Sequence, residues 1–243
     1  MQETKMKVLF VSEYFHPKGI GGGERSAYKL GKALVKKGVE VHILTSYFKG
    51  IKVRENLDGM NVWRFLEPSL QDASGSMIEN LKRLNRFENS VTDFTTYLNN
   101  ILNFDVIHCK NSSSACVVGL KKKINAKFVI HINSYVLLCP KGTMVYRDRD
   151  MNRRRECKHE CNWINYNICM SDSEQVGNKN VPKKKINNLF FKIGLRLRHK
   201  YYFNLLKRFD EYIALSNQVK DNMIRLGFPE NKITVIYPIL EVD

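Results

Sequence analysis

The stretch MKVLFVSEYFHPKGIGGGERSAYKLGKALVKKGVEVHILTS, Met6 to Ser46, decides the fold. Val8-Leu9-Phe10-Val11 is an apolar run of strand length and β-rich composition. A loop follows with Pro17, Gly19 and the triplet Gly21-Gly22-Gly23. Ala27, Leu30, Ala33 and Leu34 then recur at helical spacing, and Gly38 ends that helix. Lys36 and Lys37 stand in its last turn, where cations complement the helix dipole. Val39, Val41, Ile43 and Leu44 make a second strand. A strand, a loop, a helix and a strand in this order seed an α/β fold: a doubly wound, Rossmann-like parallel sheet with helices on both faces.

The glycines lie where the loop meets the helix N-terminus. Peptide N–H groups are unsatisfied there, the dipole favours an anion, and a backbone without Cβ atoms lets a phosphate come close. The competing reading is a loop that only needs glycine dihedrals. A dinucleotide fingerprint does not fit. Gly19-x-Gly21-x-x-Glu24 lacks the third glycine, and the second strand ends Leu44-Thr45-Ser46 with no acid for a ribose hydroxyl.

With 243 residues the chain has room for one large α/β domain or two small ones, and 43% hydrophobic residues suffice for a full core. Lys plus Arg number 40 against 24 Asp plus Glu, a net charge of +16, which suggests an anionic partner or a solvated basic surface. Nucleic acid is not the expected partner, because no recognition motif and no interleaved aromatics accompany the charge. No N-terminal segment of signal type and no membrane-spanning run is present, so the expectation is a cytoplasmic protein, peripheral at most.

Further along, Asp58-Gly59 signals a turn, and Met60, Val62 and Phe65 suggest a third strand. Ser76 would cap a long helix to about Asn103, with Leu81, Leu84, Phe87, Val91, Phe94 and Leu98 as its core stripe and Ser90 as the place where it would break. Phe104 to His108 and Lys127 to His131 are further short strands, and Ser112-Ser113-Ser114 opens a helix between them. Phe190, Ile193, Leu197 and Tyr201 form an apolar stripe beside Lys192, Arg196, Arg198 and Lys200. That pattern is either a helix packed on the domain with a basic rim or one lying on an anionic membrane. Asp210 to Ser216 and Lys232 to Ile236 read as the last strands, around a helix from Asn217 to Leu226.

These landmarks together resemble glycosyltransferase family 4. The resemblance rests on Gly21-Gly22-Gly23-Glu24-Arg25, on Phe104-Asp105-Val106-Ile107-His108, on the strand ending in His131, and on Phe209 to Ser216. It runs from Lys7 to the end and implies the amino-terminal, acceptor-side half of a GT-B fold over residues 6–238. Residues 239–243 would begin a linker to a carboxyl-terminal donor-binding domain. It implies a retaining transferase that moves a sugar from a nucleotide-sugar donor to a glycan or lipid-linked acceptor. Gly21, Gly22 and Gly23 would meet the donor diphosphate, and His131 would stand near the transferred sugar as the catalytic residue. Family members follow that histidine with aspartate, whereas here Ile132-Asn133 follows. Glu13, Tyr14, His16, Glu24, Asn133 and Lys141 would lie on the acceptor side. The transfer itself would need no cofactor, and half the enzyme alone would be nearly inactive. The alternative is a non-catalytic module that docks a partner domain or an anionic membrane.

Tyr135 to Gly142 resembles a subset of the family with Cys-Pro-Arg-Gly here, Lys141 replacing the arginine, and with further cysteines beyond. Cys139, Cys157, Cys161 and Cys169 fall in a long Cys- and Arg-rich insertion, residues 132–185. They read as ligands of a structural zinc, with His159 as an alternative ligand, or as thiols packed into a loop core; a disulfide ranks below both. No CxxC pair is present.

Overall fold

In a computed structural model of the chain, residues 5–18, 21–68, 77–148, 153–157, 161–171 and 189–238 are described. The described residues divide into two compact units, one of residues 1–133 with 207–243 and one of residues 134–206.

The first unit carries the sheet. Its elements are β1 (Lys7–Val11), α1 (Gly22–Lys36), β2 (Glu40–Ser46), β3 (Arg54–Leu57), β4 (Met60–Leu66), α2 (Met77–Leu102), β5 (Val106–Cys109), a 3-10 helix (Ser112–Lys122) and β6 (Lys127–Ile132). Eight strands of the described residues form one sheet, ordered β10-β9-β6-β5-β1-β2-β4-β3. Here β9 is Glu211–Ala214 and β10 is Ile233–Val235, joined by a helix over Asn217–Arg225. All pairings are parallel except β3 with β4. The sequence order reverses at β1, between β2 and β5, which is where such sheets open a ligand crevice beyond the carboxyl ends of the strands.

Alternation explains the core. Val8 and Phe10 of β1 join Val41, Ile43, Met60 and Val62 in a buried cluster with Ala27 of α1. Leu9 and Val11 point to the opposite face and are equally buried, so the strand reads as apolar throughout. Gly31 brings α1 close to the sheet, since a Cβ there would stand 2.3 Å from Met60 Sδ.

The sheet extends further than the expected third strand. Asp58 (φ 49°) and Gly59 (φ 83°) both have left-handed backbones, the two-residue turn that joins β3 to β4 as a hairpin. α2 is unbroken at Ser90, whose Oγ donates to the Phe87 carbonyl (2.8 Å) and accepts from the Glu67 N–H (3.3 Å). Phe87, Val91 and Leu98 of the expected stripe are buried, while Leu81 is exposed. Ser76, the expected cap, lies outside the described residues.

Two aspartates fasten the amino-terminal rim of the sheet. Asp105 Oδ2 accepts the Lys7 N–H (2.7 Å), and Asp210 Oδ2 accepts the Phe128 N–H (2.9 Å). Each follows a buried phenylalanine, Phe104 and Phe209.

The second unit is more than a loop. It contains a hairpin of β7 (Val145–Asp148) and β8 (Arg153–Glu156), then α3 (Trp163–Ser171) and α4 (Leu189–Leu206). It reaches Leu206, beyond the expected insertion boundary at residue 185, because α4 packs with α3: Tyr166 Oη donates to the Lys192 carbonyl (2.7 Å) and Arg196 lies 5.3 Å over the rings of Trp163 and Tyr166. The expected linker, residues 239–243, lies outside the described residues.

Candidate functional site

α1 starts at Gly22, with Gly21 as its extended N-cap residue. The Gly21 N–H donates to Glu24 Oε2 (2.9 Å), so this amide is engaged within the protein and Glu24 serves the helix start. The Gly22 and Gly23 N–H groups point off the first turn without a partner among the described residues. Neither glycine has a left-handed backbone, so neither of these two positions needs glycine dihedrals. A Cβ on Gly22 would meet nothing within 4 Å, and one on Gly23 would stand 3.4 Å from Asn133 Nδ2. The Cβ position of Gly22 is therefore open, not filled by packing among the described residues.

Beneath this helix start lie the ends of β5 and β6. The Lys110 N–H continues the ladder to the Val11 carbonyl (3.0 Å). By alternation Lys110 shares a face with His108 and Phe10, and the register β5–β6 sets it beside His131. Lys110 is 1% exposed, and its Nζ stands 2.8 Å from His131 Nδ1 and 5.6 Å over the Phe10 ring. Burial pulls its pKa down to about 7. Burial, then the Lys110 charge, lowers His131 to about 3, and burial holds His108 well below the ordinary histidine value. Both imidazoles are neutral at pH 7. When Lys110 is charged its ammonium can only donate, so Nδ1 of His131 accepts and Nε2 carries the proton.

His131 thus stands at the carboxyl edge of the sheet, as the strand reading expects, but its ring is turned inward. It is 4% exposed and stacks on His108 (6.0 Å, 8°). Nε2 of each histidine is buried without a partner among the described residues. Asn133 Nδ2 donates to the Lys110 carbonyl (2.6 Å), tying the two strand ends together under Gly23.

The loop after β1 flanks this place. Glu13 is buried, and its carbonyl accepts from Thr45 Oγ1 (3.2 Å) and the Ser46 N–H (3.2 Å). Tyr14 stacks on Phe48; burial, then the charges of Glu13 and Glu24, push its phenol up to about 12, so it remains a donor. His16 is exposed and stacks on Tyr28 (5.2 Å). Arg64, fully buried, holds this loop by donating to the His16 carbonyl (2.9 Å) while paired with Glu55. Sequence reasoning passed over Lys110 and Arg64. Strand alternation past Cys109 puts Lys110 on the His108 face, but only the register with β6 sets it beside His131.

Lys141 belongs to the second unit, where it is buried and its Nζ donates to the Val145 carbonyl (3.2 Å). Cys139, Cys157, Cys161 and Cys169 lie in the same unit as free thiols. Among the described residues no group of three or more His, Cys, Asp or Glu side chains stands where it could hold a metal ion. His159 lies outside the described residues.

A glycine-opened helix start at the strand-order reversal is the geometry expected of an anion-binding α/β half. The family model of glycosyltransferase family 4 matches residues 20–243. The chain belongs to glycosyltransferase family 4. Its fold is that of one Rossmann-like half of a GT-B glycosyltransferase. Sucrose-phosphate synthase from Thermosynechococcus elongatus superposes with a TM-score of 0.56 at 14% identity, covering 96% of this chain and 48% of that one. A UGT transferase from Siraitia grosvenorii, solved in complex with UDP, gives 0.55 at 14% identity, over 98% and 52%. The catalytic domain of starch synthase IV from Arabidopsis thaliana, bound to ADP and acarbose, gives 0.54 at 13%, over 97% and 52%. The chain therefore spans about half the length of these three structures. No curated protein matches it.

Proposed function

We propose that this family 4 chain is the acceptor-side half of a retaining, nucleotide-sugar-dependent glycosyltransferase, and that the donor diphosphate rests on the Gly22 and Gly23 amides. The glycine at position 22 carries this reading, since its backbone is not left-handed and no packing of the described residues at its Cβ position asks for glycine there. Negative charge grows on the diphosphate as the glycosidic bond breaks, and fixed peptide N–H groups favour that state without a metal. The neutral His131, whose Nε2–H has no partner among the described residues, would orient the transferred sugar. The first-strand loop with Glu13, Tyr14 and His16 would bound a glycan or lipid-linked acceptor, and the partner half would bring the rest of the nucleotide site.

The test is Gly22→Val in the full-length polypeptide, or in this chain combined with its donor-binding half. Transfer should fall about 100-fold in kcat/KM, with the circular dichroism and melting of the chain unchanged. Undiminished turnover would remove the phosphate role.

A further inference from the structure

Lys110 is buried without an acid. Among the described residues its Nζ has one hydrogen-bond partner, His131 Nδ1 (2.8 Å), and stands over the Phe10 ring. A buried ammonium ordinarily stands beside a carboxylate, which offsets the cost of leaving water. The surrounding elements supply none. His108 on β5 is neutral by burial. On α1, Glu24 accepts the Gly21 N–H and Arg25 is exposed. The charge of Glu13, on the loop after β1, acts on Tyr14. In the 3-10 helix Lys121 is tied to Asp210 at the other rim and Lys122 is exposed. From β9 the residue beside His131 is Ile213. Burial therefore governs Lys110, which changes charge at about 7. The His131 ring, lowered to about 3, is neutral throughout that range.

We infer that Lys110 is a positioning residue whose own charge selects which ring nitrogen of His131 carries the proton, and so whether Nε2 meets a ligand as a donor or as an acceptor. The inference rests on the sugar-orienting role proposed above for His131 and adds what governs it. A charged ammonium has only donors, so it keeps Nδ1 bare and leaves the proton on Nε2. A neutral amine has a lone pair and donates weakly. The contact then reverses: Nδ1–H donates to Nζ, and Nε2 is left bare. One proton passes from Lys110 to solvent. The imidazole gives up its Nε2 proton and takes one at Nδ1, so its own charge is unchanged. Nε2 is buried with no partner among the described residues, so no protein group there opposes the exchange. Towards a sugar hydroxyl the first state offers a donor and the second an acceptor.

Nitrogen NMR of the purified chain, with isotope-labelled histidine and lysine, tests this without any substrate, because protonated and bare imidazole nitrogens resonate far apart. His131→Phe assigns the signals. Between about pH 5.5 and about pH 8.5 the ratio of Nε2–H to Nδ1–H in His131 should fall roughly tenfold, in step with the titration of Lys110 Nζ. Lys110→Met keeps a side chain of similar length without the charge, and the ratio should then stay flat over the same range. A lysine that only filled space would move neither reading. A ratio that ignores pH in the folded chain would overturn the proposal. So would a change that persists in Lys110→Met, since another group would then be the switch, or protons on both nitrogens at the acid end. A flat ratio would strike this inference and leave the Gly22→Val test of transfer standing. Undiminished turnover in Gly22→Val beside a clear change of ratio would do the reverse.

Discussion

Lys110 and His131 form a buried basic pair at the carboxyl ends of β5 and β6, and their burial makes stability depend on pH in a definite direction. His131 folds with a pKa near 3 against an ordinary 6.5. Above the ordinary value both states are neutral there. As pH falls below it the unfolded chain takes up a proton that the folded chain refuses, so stability drops across that window. The span corresponds to on the order of 4 kcal/mol for this one group. Denaturant midpoints should fall between about pH 6.5 and about pH 4, with His108 adding to the slope because its shift has the same sign. His131→Phe should flatten that fall; an unchanged slope would mean the ring is not buried in solution. Lys110→Met should let the His131 pKa rise, since one of its two depressing causes is gone, and NMR titration of the ring reads this directly. In an active full-length enzyme the same substitution should lower kcat more than it changes KM, because the pair sets which imidazole nitrogen carries the proton. His131 was legible in the sequence from its place at a strand end. Lys110 was not, because a lysine after a strand in so basic a chain reads as solvated until the register with β6 shows what lies beside it.

At the scale of elements, local pattern told most where a strand or helix buries a regular face. β1, α1, β2 and β5 follow from apolar spacing alone. β3 did not, because its residues Arg54-Glu55-Asn56-Leu57 carry no strand alternation and are held by the neighbouring strand and by Arg54 over the Trp63 ring (4.7 Å). The turn that makes the hairpin was visible as Asp58-Gly59. Gly59→Ala should cost about 1–2 kcal/mol, since its φ is left-handed and Val35 Cγ1 would stand 2.7 Å from the new Cβ. A melting experiment checks this, and no loss would contradict the turn geometry. Gly31→Val in α1 should cost about 2 kcal/mol by overpacking against Met60. Met60→Ala should recover part of that loss in a double-mutant cycle, as contacting sites do.

On the scale of the molecule, the alternation of strands and helices implied a doubly wound parallel sheet, while the strand order came from the structure; its reversal at β1 marks where such sheets open a crevice. The second unit was less legible. Its cysteines and arginines drew attention as chemistry, while its architecture, a hairpin and two helices, follows from contacts such as Tyr166 with Lys192 that no short window of sequence displays. Nor could periodicity say which side of α4 faces solvent, because the helix is apolar on more than one side.

The paired aspartates at the other rim have a practical consequence. Asp105 and Asp210 clamp the strand starts, while the glycines, Lys110 and His131 stand at the strand finishes. Asp210→Ala should lower the melting temperature, equivalent to about 1–3 kcal/mol, yet leave ligand affinity intact. Robustness and reactivity are thus separately adjustable, and an engineer could graft tags or thermostabilising changes onto the clamped end while reshaping specificity from the opposite one.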